Sequence, residues 1–181
     1  MVVHVNAETP GDERGALLAF LDAERGGIRR ALLGLTAEQA ATTPSASELS
    51  LSGLLKHVAE VEEGWISRAQ GVDPAVRRTE ANWDECFRLV EGESVESVLA
   101  YWGRVADRTE EFIRSLPTLD ATFALPDEPW FPKEDVSMRW VLLRLITEMS
   151  RHSGHADIIR ESLDGKTAFE LVALERGESW G

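Results

Sequence analysis

The chain has little cysteine, little positive charge and no long apolar run, and each absence excludes a class of protein. Cys86 is the single cysteine among 181 residues, so an internal disulfide framework is excluded. Lysine and arginine number 19 against 32 aspartates and glutamates, and the resulting net charge of −13 argues against nucleic acid or an anionic membrane as a partner. No segment approaches the roughly 18 continuous apolar residues of a membrane-spanning helix.

The chain start and the chain length indicate where the protein acts and how it is organised. Met1 to Pro10 has neither the basic start nor the apolar run of a secretory signal, so we expect a cytoplasmic protein. The length is sufficient for one domain with one core. We predict an N-terminal lead at 1–12, a helical domain at 13–165, and a tail at 166–181 that packs on or extends from the same domain.

Apolar residues recur at helical spacing along most of the chain, and no run alternates as a β-strand would. Four long helices are predicted, at about 13–33, from Ser47 or Ser50 to about 70, at 95–116 and at 136–163. Four amphipathic helices of this length are typical of a four-helix bundle. The predicted fold class is therefore all-α, a four-helix bundle with two long connecting loops.

The two long loops differ in composition. Residues 71–94, which include a predicted short helical piece from Trp83 to Leu89, form a longer connection than a bundle needs and are a candidate for covering a site. Residues 118–135 contain several prolines together with Phe131, and we expect this loop to pack over one end of the bundle.

The last predicted helix carries a polar cluster on its apolar face. Glu148, His152 and His155 are spaced four and three residues apart, so their side chains leave the same face as Met149 and Ala156. Polar groups on a buried face are unfavourable unless something pairs them. A metal ion or a hydrogen-bond network would do so, and the spacing alone leaves both open.

The second predicted helix supplies a further histidine. His57 lies at the edge of its apolar stripe and is expected to face the bundle, whereas Glu60, Glu62 and Glu63 are expected on the polar side. Sites in helix bundles are built from inward side chains on facing helices. His57 and the Glu148/His152 pair are therefore the constellation to consider together.

The joint pattern resembles the DinB/YfiT-like superfamily, specifically its DUF664 branch. The resemblance covers about residues 13–165 and is carried by His57 with Trp65, Arg139-Trp140, Glu148-x3-His152, Gly154-His155-Ala156-Asp157, and Arg160 through Gly165. It implies a four-helix bundle that binds a divalent metal through a histidine on the second helix and a pair four residues apart on the last. Many members have two histidines in that pair. Glu148 takes the first position here, as in mycothiol-dependent maleylpyruvate isomerases, so the resemblance puts His57, Glu148 and His152 on the metal.

The ligand chemistry agrees with the resemblance. Two imidazoles and one carboxylate form a three-ligand set typical of catalytic zinc, with one position left for water or substrate. Zinc is the expected metal, and nickel, iron or manganese are compatible with the same ligand types. Such an ion lowers the pKa of a bound water or thiol.

The resemblance implies a metal-dependent S-transferase or isomerase that uses a low-molecular-weight thiol such as mycothiol, or bacillithiol in other bacteria, and a small electrophile. Dimerisation through an outer bundle face is also implied. Four residues have weaker predicted roles. His155 is an outer partner, a fourth ligand or a group near the substrate, Asp157 and Arg160 orient ligands or bind a carboxylate, and Glu60 is a candidate base.

Two other functions are left open by the sequence. The first is a non-catalytic binding or stress-associated bundle whose metal site is structural or vestigial, with His155 as the natural fourth ligand. The second is a hydrolase that uses metal-bound water with Glu60 or Glu148 as base. Cys86 is expected to be a small buried or half-buried residue, since Asp84 and Glu85 would not activate a thiol.

Overall fold

A computed structural model describes residue 5, residues 10–129 and residues 131–180, and within them four long helices form a bundle. Most of the predicted N-terminal lead lies outside these residues. The predicted all-α four-helix bundle is confirmed. The helices are α1 (Glu13–Ala31), α2 (Ala37–Ala41), α3 (Leu51–Gln70), α4 (Val95–Ser115), α5 (Met138–Asp164) and α6 (Ala168–Glu175), with a 3₁₀ helix at Trp83–Phe87.

The start of α5 differs from the prediction. The sequence suggested a helix from Val136 with Asp135 as its N-cap, but Ser137 is the N-cap and its side chain accepts from the Trp140 N–H. Val136 and Ser137 instead pair with Thr122–Phe123 as two short antiparallel strands, β1 (Thr122–Phe123) and β2 (Val136–Ser137). This small sheet was not predicted, because two-residue strands are too short to show an alternating pattern, and the fold class remains all-α.

Side-chain contacts give the directions of the four long helices. Arg14 at the start of α1 donates to the Leu116 carbonyl at the end of α4, so these helices are antiparallel. The start of α1 meets the start of α5 through Glu13 and Arg139, so these two are parallel. Trp65 near the end of α3 packs on Trp140 near the start of α5, which makes them antiparallel. The bundle is therefore up-down-down-up.

This topology explains the long connection between α3 and α4. Parallel neighbours require the chain to return along the full length of α3, about 30 Å for its 20 residues. The connection follows α3 backwards: the Ala75 N–H donates to Glu63, and Arg78 then bonds Glu60. The 3₁₀ helix consequently lies over the first half of α3.

The bundle core is apolar but contains one buried ion pair. Arg25 on α1 and Glu62 on α3 are 3 % and 0 % exposed and pair with each other. The expected position of Glu62 and Glu63 on the polar side of α3 was wrong, because both carboxylates are buried and both have hydrogen-bond donors. The largest fully buried apolar side chains are Leu21, Ile28, Leu51, Leu54, Leu55, Ile66, Trp102, Ile113, Leu142, Leu145 and Met149.

The C-terminal segment continues the same structure. Leu171 of α6 is buried, and Arg30 of α1 pairs with Glu175 at the end of α6. Phe131, in the second long loop, packs edge-on against Trp65, as expected for a loop that covers one bundle end. None of the helices described is long and apolar enough to cross a membrane.

Candidate metal site

His57, Glu148 and His152 meet between α3 and α5. Glu148 Oε1 lies 3.4 Å from His57 Nε2 and 3.3 Å from His152 Nε2. One ligand atom from each of the three residues lies within 4.8 Å of the other two. Because α3 and α5 are antiparallel neighbours, the four-residue spacing on α5 brings both of its side chains towards the one histidine of α3.

The site is at the edge of the core, under the long connection. The side chains of His57, Glu148 and His152 are 12 %, 13 % and 10 % exposed. Phe87, the last residue of the 3₁₀ helix, stacks on the His57 ring with centroids 4.6 Å apart. Gly53 permits this cover, because a Cβ at that position would lie 2.0 Å from the Phe87 carbonyl oxygen.

Glu148 is held in its charged form. Hydrogen bonds from His152 and His57 lower the pKa of this carboxyl well below its usual range, and Arg144 adds to the effect, while burial opposes it. Arg144 Nη1 bonds Glu148 Oε2, so the second oxygen has a partner of its own. An ionised carboxylate beside two imidazoles is the state that binds a metal ion.

His155 lies behind His152 on the same helix. Its Nδ1 is 3.4 Å from His152 Nδ1, the ring nitrogen opposite to the one that faces Glu148. His155 itself is exposed, although the sequence placed it on the buried face with Glu148 and His152. Partial burial, and then the neighbouring His152 and Arg151, lower the pKa of His155 and favour its neutral form. These contacts fit an outer partner of His152.

Glu60, the candidate base, forms an ion pair with Arg78. Arg78 Nε donates to Glu60 Oε2 at 2.8 Å, and Arg78 Nη2 reaches the other oxygen. The same guanidinium contacts Glu85, so Arg78 anchors the long connection to α3. Cys86 beside it is buried, as expected, and burial together with Glu60 raises the pKa of its thiol to about 11.

The structure does not bring Asp157 or Arg160 to the three donor atoms. Asp157 follows Glu148 by nine residues, two and a half helical turns, so it faces a groove between α1, α5 and α6. Arg160 is buried, donates to the Ala31 and Leu33 carbonyls at the end of α1, and pairs with Asp164. These contacts give Arg160 a structural role in joining α5 to α1.

Two residues at the site were missed by the sequence reading. Arg144 precedes Glu148 by one helical turn, so the i, i+4 spacing could have indicated it. Phe87 had no such signal, because its contact with His57 depends on the path of the connection.

The three side chains fit a divalent metal ion. Ligand atoms about 2.0–2.1 Å from a tetrahedral zinc ion are separated from each other by about 3.3–3.4 Å. The two separations from Glu148 Oε1 match this spacing, and the three donor atoms lie within 4.8 Å of one another. Two imidazoles and a carboxylate are also ligand types that zinc prefers.

Comparison with known proteins gives one family and one fold. A family model described as mycothiol-S-transferase matches residues 16–165. A crystal structure of a conserved protein from Enterococcus faecalis is similar with a TM-score of 0.67 and 20 % identity, over 85 % of this chain and 98 % of that one. At this identity the likeness supports the fold alone. No curated protein matches the chain.

Proposed function

Because this chain belongs to the mycothiol S-transferase family, a DinB-like family, we propose that it binds a divalent metal ion through His57, Glu148 and His152 and uses it in thiol chemistry. Membership implies a metal-dependent enzyme that acts with mycothiol. The observation that carries the proposal is the convergence of three donor atoms within 4.8 Å of one another on two facing helices, with both separations from Glu148 Oε1 at metal-ligand spacing.

Each of the three residues has a defined part in the proposed site. His57 and His152 present Nε2, and Glu148 presents Oε1. A zinc ion held this way would lower the pKa of a thiol at its open position. Phe87 keeps the His57 ring in place by stacking, and the 3₁₀ helix limits the access of water to that side of the site.

The proposed reaction is S-transfer from a small thiol to an electrophilic carbon, or isomerisation of an electrophile that adds the thiol reversibly. In S-transfer, the thiol loses its proton to solvent, its sulfur forms a bond to carbon, and the leaving group departs with the bonding electron pair. Zinc is the metal we propose, because two histidines and one glutamate recur at catalytic zinc sites.

The test is metal content and turnover measured on the same samples. We expect the untagged wild type to bind about one zinc ion per chain and to consume mycothiol in the presence of a reactive electrophile. His57→Ala and His152→Ala should lose both the metal and the turnover. His155→Ala removes the imidazole that contacts His152 from the outer side, so it should weaken zinc binding but retain stoichiometric metal at excess zinc.

Three results would change the proposal. A wild type that stays metal-free after reconstitution would refute it and leave a buried polar network in a binding bundle. Complete loss of metal in His155→Ala even at excess zinc would give this residue the role of fourth ligand. Metal without turnover with any small thiol would favour the non-catalytic bundle, in which removal of the ion by a chelator lowers stability alone.

Two further predictions belong to the same proposal. A mycothiol-using enzyme is expected in the cytoplasm, where this thiol is kept reduced. The homodimer implied by the resemblance can be tested by light scattering of the purified chain, for which a mass of about twice 20.1 kDa is expected.

A further inference from the structure

Glu148 uses its two oxygens for different purposes. Oε1 faces Nε2 of both histidines, at 3.4 Å and 3.3 Å. Oε2 accepts from Nη1 of Arg144, one helical turn earlier on α5. The carboxylate therefore has one oxygen towards the two imidazoles and one oxygen paired with the Arg144 guanidinium.

Arg144 is placed where its contribution to fold stability is small. Its side chain is 39 % exposed, and ion pairs of this kind on a helix surface contribute little to stability. Its partner is Glu148, which is 13 % exposed and belongs to the candidate metal site. The pair is therefore better explained by the orientation of the carboxylate than by stability.

We infer that Arg144 is a positioning residue that restricts Glu148 to metal binding through Oε1 alone. The inference rests on the proposed function. Both oxygens of a free carboxylate can bind one ion, and this would fill the position that a thiol needs. A guanidinium on Oε2 competes with that second bond, so the three protein ligands contribute three donor atoms and leave one position open.

Cobalt substitution tests the inference, because the visible absorption of Co²⁺ weakens as its coordination number rises from four to five or six. The wild type loaded with Co²⁺ should give intense tetrahedral bands. Arg144→Ala should lose much of this intensity, because Oε2 becomes free to bind. Arg144→Lys should recover it, since a single N–H donor is sufficient to occupy Oε2.

Arg114→Ala is the matched control. Arg114 forms the same kind of i, i+4 ion pair with Glu110, at 2.7 Å, on the exposed surface of α4. This variant should leave the cobalt spectrum unchanged. In mycothiol turnover, Arg144→Ala should lower kcat and Arg144→Lys should restore most of it.

The outcomes separate the inference from the proposed function. Identical cobalt bands in the wild type and Arg144→Ala would overturn the positioning role while leaving the metal site intact. A weak spectrum in Arg144→Lys equal to that of Arg144→Ala would overturn the one-donor explanation. A wild type that binds no Co²⁺ would overturn both the inference and the proposed metal site.

Discussion

Glu62 is the residue whose surroundings most constrain the core. Its two oxygens accept from Arg25 Nε at 3.0 Å, Trp102 Nε1 at 2.9 Å and Thr109 Oγ1 at 2.7 Å. The hydrogen bonds offset the free-energy cost of burying this charged carboxylate only while every donor is present. The network joins α1, α3 and α4 at one point.

Glu62→Ala is therefore expected to destabilise the fold strongly. The substitution leaves the Arg25 guanidinium buried without its carboxylate, which should lower the free energy of unfolding by about 3–5 kcal/mol. Urea unfolding at neutral pH measures this change. Glu110→Ala, which breaks an exposed ion pair with Arg114, should change it by less than about 1 kcal/mol.

A double variant separates loss of a partner from loss of packing. Arg25→Met with Glu62→Leu removes both charges together and should recover part of the stability that Glu62→Ala loses, while the Trp102 N–H lacks its acceptor in both variants. A double variant as unstable as Glu62→Ala would contradict the unpaired charge as the cause.

At this scale the sequence predicted positions on a helix face better than partners between helices. His57, Glu148 and His152 were grouped because helical spacing and the resemblance both placed them inward, and the structure brings them together. Glu62 was placed on the polar side because its main partner, Arg25, lies 37 residues away on another helix. A pattern read along one helix contains no information about a charge supplied by a neighbour.

Among the elements, the connection between α3 and α4 depends on a glycine. Gly53 lets the Phe87 carbonyl approach α3, and Phe87 in turn stacks on His57. The connection is thus attached to α3 beside the candidate metal site, as well as by Arg78 and Glu60 further along.

Gly53→Ala is expected to displace this connection. The added methyl would lie 2.0 Å from the Phe87 oxygen, so the backbone must move, which should lower the free energy of unfolding by about 1–3 kcal/mol and weaken zinc binding. Urea unfolding and chelator competition measure the two effects. Gly103→Ala on α4 has open space around it and should instead stabilise by up to about 1 kcal/mol. Equal effects of the two substitutions would contradict the close approach.

The end of α5 gives a prediction for acid pH. Burial raises the pKa of Asp164, but hydrogen bonds from Arg160 and Lys166 outweigh it and lower the pKa from 3.8 to about 2. A lowered pKa in the folded state means that the stabilisation is fully present above about pH 4 and is lost as the pH falls through 2. Asp164→Asn should therefore cost about 1 kcal/mol at neutral pH, allowing for solvent screening, and almost nothing near pH 1. Unfolding measured at several pH values tests this, and a constant difference would contradict it.

Helix boundaries could be predicted wherever an N-cap residue or a C-terminal glycine lies at the helix end. Ser50 and Gly71 bound α3, and Gly165 ends α5 in the left-handed region with φ 79°. The up-down-down-up arrangement was not predicted, because the sequence indicates that a loop is long without indicating which helices it joins in parallel.

For the whole molecule, a bound metal ion would connect α3 to α5 across 91 residues of sequence. Zinc at a free concentration 100 times its dissociation constant should raise the free energy of unfolding by about 2.7 kcal/mol. For a chain of this size we expect a rise in Tm of about 5–10 °C. Calorimetry with and without zinc measures the shift, and His57→Ala should abolish it. A shift that persists in His57→Ala would place the stabilising ion elsewhere.

The parallel pairing of α1 with α5 also sets when the protein can fold during synthesis. Gly27 of α1 allows the close approach of Ser153 on α5. Arg160 of α5 donates to the Ala31 carbonyl at the end of α1, so this contact cannot form until α5 has been made. α1 therefore meets its main neighbour, α5, only after α3 and α4 have also been made. Until then the part of α1 that α5 covers is exposed to other chains, so the nascent protein is expected to be more prone to aggregation than to slow helix formation.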